Sequence, residues 1–378
     1  MPPTAAAREH AGSLHAESLV VTSHDHLFEE EDLLRMGEGG LDAKVCMLQV
    51  DALVFDEEGP DSALAAIYSY EGWARRALTK IERVLGTIDR HPDRLLLVRR
   101  PDDVLEAQRS GRGGVILGLE GTRPLEGEIE LLRLYHRLGL RHLQLTWSFG
   151  SQVCDRVTPP PGEIGWSNFR GTKTPGLTDF GREVVREANR LGIVLDPSHA
   201  TAQTYQELFA LSTRPIVISH ATCKDAGKNA GDVTDEQLRA LAANGGVICM
   251  HFFAHYARDR GATIDDLVDH ILHAAEVAGI DHVGIGPDWL RLTPDFLRLH
   301  DKWSSRPVAG PRPPDQPLGP LAELDDVARL PRLTERLVER GFGDDDVRKI
   351  LGGNLLRVHR QVWSGSREEA PLAGARHG

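Results

Sequence analysis

Short apolar runs alternate along the chain with longer segments in which apolar residues recur every three to four positions. The short runs predict about eight strands, at residues 19–23, 44–50, 114–119, 142–146, 193–196, 215–219, 246–250 and 282–286. The longer segments predict helices, at residues 61–85, 128–138, 179–191, 235–243, 264–278, 334–340 and 344–351. Gly139, Gly192 and Gly279 each follow the last apolar position of such a segment, where glycine supplies the left-handed residue that ends a helix.

This alternation predicts the fold class. Strands that are apolar throughout and separated by helices indicate a parallel α/β sheet covered on both faces. About eight units in a chain of 378 residues favour a single (β/α)8 TIM barrel with long βα loops and C-terminal closing helices. An open doubly wound sheet would place a Gly-rich phosphate loop after the first strand, but the sequence there is Ser-His-Asp-His.

The domain organisation follows from the same pattern. We predict one barrel domain over residues 16–363, with mobile tails at 1–15 and 364–378. Two segments resist regular structure, at 153–175 and 303–320, and the first would lie over the mouth of a barrel as a lid.

Charge and composition narrow the function classes. The formal net charge of -12 argues against nucleic acid or an anionic membrane as a partner, since both require a basic surface. The four cysteines are far apart and form neither a disulfide framework nor a thiolate metal motif. No stretch approaches the roughly 20 apolar residues of a membrane span, and the N-terminus lacks the apolar core of a signal peptide. We expect a cytoplasmic, unprocessed enzyme that acts on a small-molecule substrate.

Six side chains suited to metal binding or acid–base chemistry lie at or just beyond the C-terminal ends of predicted strands. They are His24, His26, Glu120, His199, His220 and Asp288. In a barrel these strand ends converge, and active sites are built there. Taken singly, each residue is more often a hydrogen-bonded structural residue than a ligand. Together, four imidazoles and a carboxylate favour Zn2+, Mn2+, Fe2+ or Co2+ over Ca2+ or Mg2+.

The residue types also suggest roles. His24 and His26 lie two positions apart and so share one face of a strand, with Asp25 on the other. One carboxylate among four imidazoles, Glu120, can bridge two ions. Asp288 ends the last predicted strand and could carry a proton to and from the reacting groups, although an Asp after Pro is more often a turn residue.

Several motifs resemble those of the membrane (renal) dipeptidase family of metallopeptidases, peptidase family M19 of the amidohydrolase superfamily. They are Glu120-Gly121, the run GLTDFGREVVREANRLGIVLDPSHA at 176–200, Ser219-His220, HVGIGPD at 282–288 and GGNLLRVHR at 352–360. The resemblance covers residues 21–363.

The resemblance implies a (β/α)8 barrel with two zinc ions bridged by Glu120 and a hydroxide. It implies that His24 and residue 26 bind one ion, that His199 and His220 bind the other, and that Asp288 is the proton shuttle. It also implies hydrolysis of dipeptides and a homodimer.

The chain departs from the family pattern at the opening motif and at the substrate contacts. The family usually has Asp at position 26, so the neutral His26 raises the site's net charge and should weaken or alter one ion site. Trp147 stands where known members have a substrate-contacting His. Lys228 is the nearest cation to the expected carboxylate-binding Arg, and Phe253 replaces a hydroxylated aromatic.

From the sequence we therefore predict a dipeptidase-like hydrolase in which a metal-bound hydroxide cleaves an amide bond. Asp288 and Glu120 would be its catalytic residues, and Trp147, Lys228 and Phe253 would bind the substrate. Two alternatives stay open at this stage. One is an enzyme of a specialised pathway that hydrolyses a lactam or lactone, decarboxylates, or uses a redox metal; the other is a catalytically weak partner of another subunit.

Overall fold

The computed structural model describes residues 5–50, 72–147, 151–154, 176–226, 233–253, 262–291 and 320–363. The strands in these ranges are β1 (Val21–Asp25), β2 (Ala43–Gln49), β3 (Leu95–Leu97), β4 (Gly113–Glu120), β5 (Leu140–Gln144), β6 (Val194–Asp196), β7 (Val217–Ala221), β8 (Val247–His251) and β9 (Val283–Gly286). The α-helices are α1 (Ala5–Glu17), α2 (Glu30–Leu34), α3 (Trp73–Arg90), α4 (Pro101–Ser110), α5 (Ile129–Leu138), α6 (Asp179–Leu191), α7 (Ala202–Leu211), α8 (Asp235–Asn244), α9 (Ile264–Ala278), α10 (Pro331–Glu339), α11 (Asp344–Arg348) and α12 (Asn354–Trp363).

The strands form two parallel sheets, which confirms the prediction of a parallel α/β fold. One sheet has the order β1-β2-β4-β5-β6, with β3 paired to β4, and the other has the order β7-β8-β9. Strand β3 was not predicted, because its three residues are too few to show a periodicity.

Hydrogen bonds also connect the two sheets. The Ser23 hydroxyl of β1 donates to the Ser219 carbonyl of β7 at 2.6 Å and lies 3.2 Å from the Ile285 carbonyl of β9. The Asp288 amide donates to the His24 carbonyl at 3.0 Å. The carboxyl ends of β1, β7 and β9 are therefore held side by side.

Alternate residues along the strands divide the core in two, as the pleat requires. In β2, Cys46 and Leu48 pack with the surrounding helices in the larger cluster. Val45 and Met47 belong to a second cluster, which α12 closes. Helix α12, together with Val104 of α4, thus covers the strand residues of this second cluster.

Glycine ends α6 as predicted. Gly192 has φ +74°, and a Cβ at that position would lie 2.9 Å from the Val362 carbonyl oxygen of α12. The left-handed conformation and the close backbone approach both favour glycine here.

Residues 5–17, most of which lie in the predicted N-terminal tail, form helix α1 and pack on α10. Ala11 and Leu14 are buried. His15 bonds to the Thr334 hydroxyl at 2.7 Å and to the Gly39 carbonyl at 2.9 Å. These long-range contacts have no local signature in the sequence. The predicted C-terminal tail at 364–378 and most of the two predicted loops lie outside the described residues.

None of the helices in the described ranges combines the length and the apolar character needed to cross a bilayer.

Candidate metal centre

The structure brings the six predicted side chains together at the carboxyl ends of the strands. They come from five strands or the residues just after them: His24 and His26 from β1, Glu120 from β4, His199 from the loop after β6, His220 from β7 and Asp288 from just beyond β9. They fall into two groups, each with ligand atoms within 4.8 Å of one another: His24, His26 and Asp288; and Glu120, His199 and His220.

Glu120 lies between the two groups. Its Oε1 atom is 3.6 Å from His24 Nε2 and 3.7 Å from His199 Nε2. Its Oε2 atom is 3.5 Å from His26 Nε2. One carboxylate therefore faces imidazoles of both groups, which is the arrangement of a bridging ligand.

The alternation of β1 explains why His24 and His26 meet. Their Nε2 atoms are 3.1 Å apart, while Asp25 points the other way and forms a buried ion pair with Lys44 at 3.0 Å. The Nδ1 atom of His26 lies 2.8 Å from the Met47 carbonyl oxygen. A carbonyl can only accept, so Nδ1 carries a proton, and Nε2 is the nitrogen that faces the site and can bind a cation once its own proton is lost.

Ser219 supports one histidine of each group. Its hydroxyl is 2.8 Å from His24 Nδ1 and 3.0 Å from His220 Nδ1. The Ser219 amide donates to the buried Asp196 carboxylate at 3.2 Å, which fixes the backbone beneath the two rings. When both Nδ1 atoms donate to the hydroxyl, both Nε2 atoms are left as acceptors that can bind a cation.

Two of the six residues have left-handed backbones: His199 has φ +66° and Asp288 has φ +57°. Non-glycine residues rarely adopt this region, and such conformations cluster at functional sites because the surrounding fold holds them there. His199 is also the most exposed of the six, with 41% of its side chain accessible.

Burial and close packing shift the pKa values of the histidines and carboxylates in the site. Burial, reinforced by the neighbouring histidines, lowers the pKa of His24 and of His220 well below the ordinary value. Burial would also lower the pKa of His26, but the carboxylates of Glu120 and Asp288 outweigh it and raise that pKa to about 9. Burial raises the pKa of Glu120 to about 8.

Asp288 behaves differently from Glu120. Burial alone would raise the pKa of the Asp288 carboxyl, but hydrogen bonds from His251 and His26 outweigh it and hold that pKa well below its usual range. Asp288 is therefore ionised at neutral pH, and it lies beside His24 and His26.

These residues fit divalent cations. Glu120 Oε2 is buried and has no hydrogen-bond partner among the described residues. The Nε2 atoms of His199 and His220 face each other at 2.8 Å. A cation bound between these nitrogens and beside the buried carboxylate oxygen would offset the cost of burying them. The donor set of imidazoles and carboxylates matches zinc, manganese, iron or cobalt.

The structure places two of the three predicted substrate-binding residues. Phe253 is buried and stacks on the His251 ring, with ring centroids 4.5 Å apart. Trp147 follows β5 and is partly buried against the core. Lys228 lies outside the described residues.

Some polar residues of the site were not predicted. His251 bonds to Asp288, and Gln144 Nε2 lies 3.3 Å from Glu120 Oε1. His251 directly follows the predicted strand 246–250, so the strand-end position that identified the other six could have identified it as well. Asp196 ends the predicted strand 193–196 and carries the same signal, whereas Gln144 lies within a predicted strand, where the sequence does not show which polar residues face the site.

The sequence profile of the family described as Membrane dipeptidase (peptidase family M19) matches residues 9–301 and 316–370. The chain therefore belongs to this family, as the motifs indicated.

Curated relatives carry the name dipeptidase. The chain is 29% identical to Dipeptidase ataJ of Aspergillus terreus over 345 residues, covering 88% of this chain and 77% of that protein. It is also 29% identical to Dipeptidase verJ of Clonostachys rogersoniana over 288 residues, covering 76% of this chain and 65% of the relative. The chain thus spans somewhat less than two thirds of the length of verJ.

Among solved structures, the fold is similar to that of an amidohydrolase from Pseudomonas aeruginosa. The TM-score is 0.74 at 26% identity, and the match covers 94% of this chain and 99% of the other.

Proposed function

We propose that this protein is a divalent-metal-dependent dipeptidase that hydrolyses the amide bond of a dipeptide or a dipeptide-like small molecule. The observation that carries the proposal is the pair of histidine–carboxylate groups joined by Glu120, with the ionised Asp288 at their edge. Membership of the M19 family and the dipeptidase names of the relatives support it.

The chain offers ligands for two ions, proposed to be Zn2+. His24 and His26 would hold one, His199 and His220 the other, and Glu120 would contact both. When bound, such ions supply a Lewis acid and bring the pKa of water near neutrality. The neutral His26, where the family usually has Asp, makes the first of these sites less anionic, so manganese, iron and cobalt belong in the test.

Asp288 is proposed as the proton carrier. Its Oδ1 atom lies 3.1 Å from His26 Nε2 and 3.6 Å from His24 Nε2, so the carboxylate borders the space into which these lone pairs point. Being ionised, it can accept a proton from the attacking water and return it to the amine that leaves. Glu120 would therefore hold the cations, and Asp288 would transfer the proton.

Three finer features belong to the same proposal. The hydrogen bonds between β1, β7 and β9 support closure of the two sheets into one (β/α)8 barrel over residues 16–363. The four cysteines are buried and form no disulfide within the described ranges, which agrees with a reducing cytoplasm. A homodimer follows from family resemblance and is checked by sedimentation of the purified chain.

The central experiment measures hydrolysis of L-Ala-L-Ala and L-Ala-D-Ala by protein loaded separately with Zn2+, Mn2+, Fe2+ or Co2+. We expect dipeptide hydrolysis, and we expect Asp288→Asn to keep its metal while kcat falls about 100- to 10,000-fold. Asp281→Asn is the matched control, since Asp281 is an exposed carboxylate paired with Lys349.

Two results would contradict the proposal. Undiminished turnover of Asp288→Asn would remove Asp288 from the mechanism. Failure to cleave either dipeptide with any of the four metals, together with opening of a lactam or a lactone, would instead establish the specialised hydrolase as the function.

A further inference from the structure

His251 is a polar residue of the site that the proposed mechanism does not use. It is the last residue of β8, and about 9% of its side chain is exposed. Its Nε2 atom lies 2.9 Å from Asp288 Oδ2. Because an ionised carboxylate can only accept, the imidazole donates this hydrogen bond.

The two oxygens of Asp288 therefore have separate partners. Oδ2 accepts from His251, while Oδ1 faces His26 Nε2 at 3.1 Å and His24 Nε2 at 3.6 Å. A carboxylate with one oxygen held in this way cannot rotate freely about its last bond. Oδ1 is thereby kept toward the space between the histidine lone pairs.

The His251 ring is itself fixed by its neighbours. Phe253 stacks on it at 4.5 Å with an angle of 20° between the ring planes. His220 meets it edge-on at 5.4 Å. The backbone of Asp288 is held as well, by its left-handed conformation and by the bond from its amide to the His24 carbonyl. Donor and acceptor are thus both built into the strand ends.

We propose that His251 is a positioning residue for Asp288: its Nε2–H holds Oδ2 so that Oδ1 faces the metal ligands. The inference rests on the proposed role of Asp288 as proton carrier. It assigns the effect to the donated hydrogen bond and not to the aromatic ring. The effect on turnover is assigned to this hydrogen bond, so its loss should lower kcat only while the Asp288 carboxylate is present.

Three variants of His251 separate the hydrogen bond from the ring. His251→Phe keeps an aromatic ring on Phe253 but donates no hydrogen bond. His251→Gln removes the ring but places an amide donor at nearly the same reach, and His251→Asn carries the same amide one methylene shorter. Losing a support of this kind typically costs about 10- to 100-fold in activity. We expect that fall in kcat for Phe and Asn, an unchanged KM, and recovery of most of kcat with Gln.

A double-mutant cycle tests whether the effect passes through Asp288. In an Asp288→Asn background, His251→Phe should lower kcat no further. The matched control is His273→Phe, because His273 forms a comparable bond, 2.7 Å from Nε2 to Asp235 Oδ1, between helices. This control should leave kcat as in the unmutated chain.

The visible spectrum of Co2+-loaded protein provides a readout that does not depend on the substrate. A change in the orientation of Asp288 beside His24 and His26 should alter the Co2+ absorption in the Phe variant and restore it in the Gln variant. If no dipeptide is cleaved but the spectra follow this pattern, the proposed function fails and the positioning role stands.

Several outcomes would overturn the inference. Equal kcat values for Gln and Asn would show that donor reach does not matter. Full activity of His251→Phe, or an added loss in the Asp288→Asn background, would show that His251 does not act through Asp288. Identical Co2+ spectra for the unmutated chain and the Phe variant would contradict it independently of turnover.

Discussion

The two ends of the parallel strands differ in how well their buried polar groups are paired with other groups of the protein. At the carboxyl ends, imidazole nitrogens face one another, His199 and Asp288 adopt left-handed backbones, and Glu120 Oε2 has no partner in the described part of the chain. At the amino end of β2, by contrast, a half-buried carboxyl group is paired. Asp42, just before β2, accepts from the Val20 amide at 2.8 Å and from Gln108 at 3.4 Å.

The difference separates function from stability. Groups that repel or lack partners in the protein alone are retained at the carboxyl ends because a bound ion would satisfy them. Groups at the amino ends join one element to another and serve the fold. Substitutions at the two ends should therefore affect different measurements, metal binding and turnover at one end and free energy of unfolding at the other.

The largest effect is expected for Glu120→Gln. Because Glu120 faces histidines of both groups, the neutral amide should weaken both ion sites. Several kcal/mol of lost charge stabilisation corresponds to a fall of about 1,000-fold in kcat/KM. Elemental analysis should show less bound metal. The melting temperature of the metal-free protein should not fall, because Gln removes a buried carboxyl whose pKa is already raised to about 8.

The control for Glu120→Gln is Glu276→Gln, an exposed position on α9. Full metal content in Glu120→Gln would contradict the bridging role.

The next effect is the pH dependence of metal affinity. In the metal-free protein, the carboxylates of Glu120 and Asp288 raise the pKa of His26 to about 9 and burial raises that of Glu120 to about 8, so the two groups between them hold at least one proton at pH 7. A cation must displace the protons held there, so affinity should rise with pH by about tenfold per unit for each proton released. Competition with a coloured chelator between about pH 7 and pH 9 measures this slope. A flat profile would show that neither group is a ligand.

Ser219→Ala should lower metal affinity by about 10- to 100-fold, the usual cost of removing a group that orients ligand imidazoles. Because its hydroxyl bonds to His24 and His220, both ion sites should weaken together. The control is Ser18→Ala, a buried serine whose hydroxyl donates to the Leu14 carbonyl at the end of α1. Weakening of only one site would show that Ser219 supports one histidine alone.

The smallest effect is expected at the amino ends, for Asp42→Asn. Burial raises the pKa of Asp42 to about 6, so the folded state binds this proton more tightly than the unfolded state does. The carboxyl therefore favours folding at low pH, and this advantage is lost as pH rises through about 6. Since Asn stays neutral, it should raise the free energy of unfolding at pH 7.5 by about 1–2 kcal/mol.

Below about pH 4 the gain from Asp42→Asn should vanish, which denaturant unfolding at both pH values would check. Turnover should not change. A loss of metal from this variant would contradict the assignment of metal binding to the carboxyl ends alone.

Much of the fold was predictable because it depends on local patterns. Helices α6 and α9 begin and end where the periodicity placed them, at Asp179–Leu191 and Ile264–Ala278. Most predicted strands overlap observed ones within a few residues. Helix α1 was missed because its stability comes from contacts across the fold, such as the bond of His15 to Thr334.

The sequence predicted which residues lie at the site, but it did not predict the contacts between them. A position at the end of an apolar strand identified the six residues, since parallel strands bring these ends together. It did not identify His251, although the same signal is present there. Nor could it show that Ser219 bonds to two imidazoles, because that contact joins β7 to β1 across the molecule.

By itself the sequence determined the order of strands and helices, the family and the residues at the strand ends, because periodicity and short motifs are read along the chain. Only the tertiary structure decided which nitrogen of His26 faces the site, through the Met47 carbonyl. It also decided how the oxygens of Asp288 divide between His251 and the metal ligands. These features depend on distances of about 3 Å between atoms far apart in sequence, and only packing of the whole fold sets such distances.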